Sequence, residues 1–223
     1  MLKVFEAFAG VGSQRMALRN LGIEHEVVGI CEIDKFALKA YEAIHGDCPN
    51  FGDISKVDIN DLPDIDLFTY SFPCQDLSSA GKQKGLSKGT RSGLLYECEK
   101  IIEAKKPKYL LLENVKNLVS KKFKADFDKW LKYLEGLGYA NYWEVLNSKM
   151  YGVAQNRERV FVVSILGEHK PYEFPKPEIL NTSIKDILED NVDEKYYYSE
   201  ERWNNLILNP HNHDFLKRLE NVE

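Results

Sequence analysis

A chain of 223 residues with a net charge of −5 is long enough for one large domain, or one domain and part of a second, with a full core. Its four cysteines, Cys31, Cys48, Cys74 and Cys98, show no C-x-x-C spacing and no cysteine–histidine cluster, which argues against a disulfide framework or a zinc site and points to reduced thiols in the cytoplasm. No signal-peptide core and no run of membrane-spanning length is present, and the charge balance does not favour nucleic-acid binding: residues 166–223 carry 7 Lys/Arg against 13 Asp/Glu, which leaves the first 165 near neutral.

The apolar run Leu2 to Ala9 predicts a strand that ends in Phe8-Ala9-Gly10-Val11-Gly12-Ser13, and Gln14 to Leu21 predicts a helix. A strand, a glycine turn and a helix open many nucleotide-binding folds, but Arg15 stands where the third glycine of the dinucleotide fingerprint belongs. Taken alone, the turn reads as structural. A second strand, His25 to Cys31, ends at Glu32, 20 residues beyond Gly12. That is where a carboxylate meets ribose hydroxyls in doubly wound sheets. The competing reading is a carboxylate near the start of the helix Lys35 to Ile44, which Asp34 opens. Gly52-Asp53-Ile54 falls in a loop after a weak strand.

Ile65 to Tyr70 reads as a buried strand leading into Ser71-Phe72-Pro73-Cys74-Gln75. Proline fixes its backbone angle and cannot continue a ladder, so Cys74 is expected on a stiff turn at the carboxyl edge of the sheet, where ligands of such folds sit. A lone Pro-Cys is otherwise most simply a small core residue. Lys82, Lys84, Lys88 and Arg91, and then Lys116, Lys121, Lys122 and Lys124, form local basic clusters that read as solvated faces or as weak support for a nucleic-acid partner.

Between these clusters Leu94, Leu95, Cys98, Ile101 and Ile102 recur at helical spacing, and Lys108 to Leu112 predicts a strand ending at Glu113-Asn114-Val115. Phe123 to Leu137 predicts an amphipathic helix stopped by Gly136 and Gly138. Strands at Tyr142 to Leu146 and Val160 to Ile165 are joined by so short a connection that they must run antiparallel. Pro171, Pro175 and Pro177 mark a linker. A short helix at Ile184 to Leu188, then Tyr196 to Tyr198 and Trp203, precede a polar end without clear periodicity. The fold class implied is α/β, a doubly wound Rossmann-like sheet, mostly parallel with an antiparallel final strand pair. The domains implied are 1–167 and 168–223.

In order and spacing, Phe8-Ala9-Gly10-Val11-Gly12, Ser71-Phe72-Pro73-Cys74-Gln75, Glu113-Asn114-Val115 and Gln155-Asn156-Arg157-Glu158-Arg159 resemble the first, catalytic, sixth and eighth motifs of the cytosine-5 DNA methyltransferase family. The resemblance implies S-adenosylmethionine as cofactor and double-stranded DNA as partner, in a bacterial or phage-encoded restriction-modification or protective system. It places Phe8, Ala9, Gly10 and Gly12 at the cofactor, Glu32 on its ribose, Ile33, Asp53 and Ile54 at the adenine, and Leu95 over it. Cys74 becomes the nucleophile, with Glu113, Arg157 and Arg159 around the cytosine. The chemistry suits these residue types. A thiolate adding to ring carbon 6 makes carbon 5 enamine-like. Glu113 bonds ring nitrogen 3 and the amino group, the arginines bond the carbonyl and a phosphate, and the base is flipped from the duplex.

Residues 183–201 are similar to the family's connector into its target-recognition region. The family's closing motif has no counterpart before Glu223, so the resemblance implies a split subunit with a complementing second chain, a truncated product or a fragment. Two further readings compete: a tRNA cytosine-5 methyltransferase, and an inactive cofactor- or DNA-binding remnant. One RNA family uses a cysteine at the sixth-motif position, where this chain has Glu113-Asn114-Val115. A nicotinamide dehydrogenase is disfavoured by the missing third glycine.

Overall fold

Alternation along β1 (Leu2–Ala7) sets the two faces of a six-stranded sheet. Phe5 and Ala7 enter one apolar layer and Val4 the other, as successive strand residues must. The computed structural model describes residues 1–73 and 92–209. Contacts divide the chain into two units, Met1–Asn181 and Thr182–Glu223.

In the first unit the strand order is β2-β1-β3-β4-β6-β5. Here β2 is His25–Cys31, β3 Leu67–Tyr70, β4 Tyr109–Val115, β5 Tyr139–Asn147 and β6 Glu158–Leu166. The first four strands in that order pair in parallel, and β6 pairs antiparallel with both β4 and β5. This is the expected α/β sheet with its antiparallel final pair. The larger apolar layer packs α3 (Leu95–Lys105) and α4 (Lys124–Gly136) on Phe5, Phe68, Leu110, Leu112, Val160 and Val162. Cys98, Ile101 and Ile102 of α3, and Phe127, Trp130 and Leu134 of α4, are buried there, each large apolar side chain contributing about 1.5–3 kcal/mol. The smaller layer joins Val4, Val27 and Ile30 to Leu18 of α1 (Ser13–Asn20) and to Leu38 and Tyr41 of α2 (Lys35–His45).

Two differences from the periodicity bear on the site. The strand expected to stop at Leu112 continues to Val115, because β6 keeps pairing with it: Glu113 faces Phe161, Asn114 faces Val160 and Val115 faces Arg159. Glu113 and Asn114 are thus strand residues. The weak strand before Gly52 reduces to a single parallel bridge, Ile30 to Asn50, followed by a 3-10 turn, Ile54–Lys56, capped by Asp53. The proline-rich stretch after β6 stays with the first unit, with Tyr151 donating its hydroxyl to Pro175 O and Glu178 N to Met150 O.

In the second unit, Ser183 and Asp186 form a capping box on a 3-10 turn, Ile184–Ile187. A helix that periodicity had not signalled, α5 (Glu200–Leu208), starts at Ser199, whose hydroxyl accepts the Arg202 N–H. Its apolar residues Trp203, Leu206 and Ile207 follow the i, i+3, i+4 spacing of a helix, but the run is short, and none of its residues is buried.

Candidate active site

Parallel strands β1, β3 and β4 deliver their carboxyl ends to one edge of the sheet. The antiparallel β6 begins at that same edge. Residues far apart in sequence therefore meet there for topological reasons: the glycine turn after β1, Ser71-Phe72-Pro73 after β3, Glu113 late in β4 and Arg159 early in β6.

The turn after β1 is built from left-handed backbone. Phe8 has φ 57°, Gly10 φ 56° and Gly12 φ 73°. For phenylalanine this conformation costs on the order of 1–2 kcal/mol, and such strain gathers at functional sites. Ala9 is buried, and its N–H donates to Cys31 O. Glu32 locks the turn to the end of β2. Its Oε2 accepts the Gly10 N–H at 2.8 Å, and its Oε1 accepts the N–H groups of Ile33 and Asp34 at 2.8 and 2.7 Å. A carboxylate offers about four lone-pair sites, so Glu32 retains one acceptor position on Oε2 for a hydroxyl. Asn50 clamps the Glu32 backbone from both sides, accepting its N–H and donating to its carbonyl. The cap of α2 is Asp34, which accepts from Phe36 and Ala37; these bonds hold its carboxyl below the usual carboxylate range.

Ile33 is 76 % exposed beside this carboxylate, an apolar side chain presented to solvent at the sheet edge. Asp53 takes both the hydroxyl and the N–H of Ser55 on Oδ1, and these bonds lower its carboxyl below the ordinary value. Ile54 and Leu95 are both buried in the larger apolar layer, against which Phe8 also packs. The residues expected around a cofactor are thus of two kinds: Gly10, Gly12, Glu32 and Asp53 on turns at the strand ends, and Ile54 and Leu95 buried in the larger apolar layer.

On the other side of the edge, Cys74 lies outside the described residues. The strand end that leads to it is held by two contacts. Asn114 donates its amide to Phe72 O at 3.0 Å, and Gln14 donates to the Ser71 hydroxyl at 3.1 Å. Glu113 Oε1 lies 3.0 Å from Arg159 Nε, both side chains being about three-quarters buried (24 % and 22 % exposed). A second guanidinium nitrogen of Arg159 donates to Glu158 O. A cleft of about 670 Å³ opens beside the pair, lined among others by Val115, Asn117, Gln155, Arg157 and Arg159, and a Lys116–Glu158 ion pair is part of its wall. The Arg157 backbone is pinned to Asn147 and Ser148. The Glu113 carboxylate beside the cleft and the Arg157 and Arg159 guanidinium groups in its wall stand at one strand edge, a set suited to a planar polar ring with adjacent acceptors and donors.

Sequence reasoning named the contacting motifs but gave no role to Asn114, Gln14 or Tyr41. The available signals were an asparagine at the end of a mostly apolar strand and, in Phe5-Glu6-Ala7, a carboxylate at a core position. Tyr41 binds that carboxylate, its hydroxyl donating to Glu6 Oε2 at 2.6 Å.

The sequence model of a family described as C-5 cytosine-specific DNA methylase matches residues 2–220. The type II methyltransferase M2.ScrFI of Lactococcus lactis subsp. cremoris is 46 % identical, with 88 % of this chain and 70 % of the relative covered. M.NlaX of Neisseria lactamica is 39 % identical, with 91 % and 64 % covered, and the orphan methyltransferase M.Rho11sI of Bacillus phage rho11s is 35 % identical, with 92 % and 47 % covered. The chain therefore spans between about half and 70 % of the length of these curated relatives. The solved structure of the Dnmt2 methyltransferase of S. pombe superposes with a TM-score of 0.73 at 24 % identity, covering 92 % of this chain and 66 % of that one. At that identity the likeness concerns the fold alone.

Proposed function

This chain belongs to the C-5 cytosine-specific DNA methylase family, and on that premise we propose that it transfers a methyl group from S-adenosylmethionine to carbon 5 of cytosine in double-stranded DNA, with Cys74 as the covalent nucleophile. The observation that carries the reading is the Glu113–Arg159 pair at 3.0 Å, set at the strand edge to which Asn114 ties the chain two residues before Cys74.

The residues fit the cofactor. Nothing lies within 4 Å of where a Cβ on Gly10 would be, so a ligand can approach that backbone closely. The spare acceptor of Glu32 suits a ribose hydroxyl, and exposed Ile33 suits the face of an adenine ring. When bound, S-adenosylmethionine supplies an electrophilic methyl group. The chain's own work is on the base. The Cys74 thiolate adds to carbon 6, Glu113 holds ring nitrogen 3 and the amino group, and Arg159 orients Glu113 while Arg157 faces the carbonyl or a phosphate. Once the enamine-like carbon 5 has taken the methyl group, its proton leaves to solvent and the electron pair left behind re-forms the ring double bond and expels the thiolate.

The named relatives come from bacteria and a phage; two are called type II methyltransferases and one an orphan methyltransferase. A role in restriction-modification or protective methylation in the bacterial cytoplasm follows for this chain as part of the proposal. No helix among the described residues is long and apolar enough to cross a membrane. Residues 168–223 are assigned as connector and start of a target-recognition region. Target choice then requires a further region, in the same polypeptide or in a second chain, since the relatives are longer.

The test is trapping on duplex DNA carrying 5-fluorocytosine, run beside an equivalent RNA, with S-adenosylmethionine and any complementing chain added. That base cannot lose its substituent at carbon 5, so a working thiol stays attached. A denaturation-resistant protein–DNA band that disappears in Cys74→Ala is expected. A band that survives Cys74→Ala overturns the nucleophile, and a band on RNA alone overturns the substrate.

A further inference from the structure

The glycine turn rests on helix α2 through two rings. A Cβ on Gly12 would lie 2.7 Å from Tyr41 Cε2 and 2.5 Å from His45 Nε2. The two rings pack together, their centroids 4.7 Å apart. His45 Nε2 is 3.1 Å from Val11 O; a carbonyl can only accept, so this nitrogen carries the proton. The far end of the Tyr41 ring is fixed more tightly. Its hydroxyl donates to Glu6 Oε2 at 2.6 Å and accepts from Arg15 Nη1 at 3.2 Å. Glu6 and Tyr41 are wholly buried. Glu6 is the penultimate residue of β1, and Arg15 is in the first turn of the helix that Gly12 caps. Strand, turn and helix therefore converge on one phenol.

We propose that Tyr41, anchored by Glu6, is a positioning residue for the Gly10–Gly12 turn: it reaches no ligand itself but holds the turn's close-approach surface in the geometry the cofactor needs. This rests on the assignment of the turn to S-adenosylmethionine. A glycine turn is conformationally loose by nature, and Glu32 grips it only at Gly10. The Tyr41–His45 platform supplies the second point of support, under Gly12. The carboxylate at a core position of β1 is then explained by what it orients, since a buried polar group is retained at a cost unless its partner matters.

Both ends of the turn report on it. The Gly10 N–H donates to Glu32 and the Gly12 N–H to Ala9 O, so both amides are protected from exchange. Amide hydrogen exchange on the unliganded full chain, with S-adenosylmethionine titration and thermal melting, is measured for wild type, Tyr41→Phe, Glu6→Gln and the double variant Tyr41→Phe with Glu6→Leu. In Tyr41→Phe, exchange in Gly10–Gly12 should rise about tenfold and cofactor affinity fall by a similar factor, the scale of one lost hydrogen bond to a buried group. Amides of β3 and β4 should be unchanged. Glu6→Gln, which still offers Tyr41 an acceptor, should behave as wild type at the turn. The double variant removes the stranded carboxyl, so it should regain thermal stability while the turn stays loose.

Unchanged exchange at the turn in Tyr41→Phe overturns the proposal. So does exchange that rises equally in β3 and β4, or a turn that tightens again as stability returns in the double variant. If wild type binds no S-adenosylmethionine, the cofactor assignment fails by itself, and the exchange pattern still decides whether Tyr41 holds the turn.

Discussion

Asn114 Nδ2 donates to the carbonyl of Phe72 at 3.0 Å, while Asn114 Oδ1 accepts the Val115 N–H at 2.9 Å. One buried amide, 3 % exposed, thus ties the end of β4 to the backbone just before Pro73 and Cys74. Replacing it with alanine strands the Phe72 carbonyl without its donor, at about 1–3 kcal/mol. Asn114→Ala should lower methyl transfer far more than S-adenosylmethionine binding, because the lost contact is on the base side. Single-turnover kinetics and calorimetry on the same preparation separate the two, and equal losses would assign Asn114 to general folding.

Glu113 and Arg159 form an ion pair beside the cleft. Glu113→Gln keeps the shape but removes the charge and the exchangeable proton, so methyl transfer should drop by about a hundredfold, the lower range for a proton-transferring group. The melting temperature should change little. Arg159→Lys replaces a planar guanidinium by a point charge and should also lose activity. Full activity in Arg159→Lys would show that charge alone suffices there.

Gly10 and Gly12 both have positive φ, but only Gly12 is crowded. Gly10→Ala meets open space and bears only the backbone strain, about 1 kcal/mol. Gly12→Ala adds a collision with Tyr41 and His45 and should cost about 1–3 kcal/mol more, as overpacking does. Chemical denaturation of the two variants gives the order directly, and equal losses would mean that α2 yields freely.

Burial raises the Glu6 carboxyl above its ordinary value of 4.5, although the Tyr41 hydroxyl and Arg15 pull the other way. Between that ordinary value and the raised folded value, the native chain holds a proton that the unfolded chain has lost, so stability falls as pH rises through this window. Glu6→Gln cannot titrate. Its melting temperature should match wild type most closely below pH 4.5 and exceed it increasingly toward neutral pH. Parallel curves would show that Glu6 titrates alike in both states.

Local chemistry determined the glycine turn, the Pro-Cys strand end, the Glu113 and Arg159 motifs and the alternation of strands and helices, because each follows from near-neighbour spacing. Even the antiparallel final pair was readable, since its short connection permits nothing else. Tertiary structure alone decided three things. It carried β4 on to Val115, because a strand lasts as long as its partner does, and so put Glu113 and Arg159 on adjoining strands. It spent most of the Glu32 carboxylate on the backbone of Gly10, Ile33 and Asp34. It also brought Glu6, Tyr41 and Arg15 together across separations of 35 and 26 residues. A hydrogen bond between side chains so far apart leaves no periodic trace in sequence. It exists only once the sheet has fixed the register of β1 and laid α2 across it.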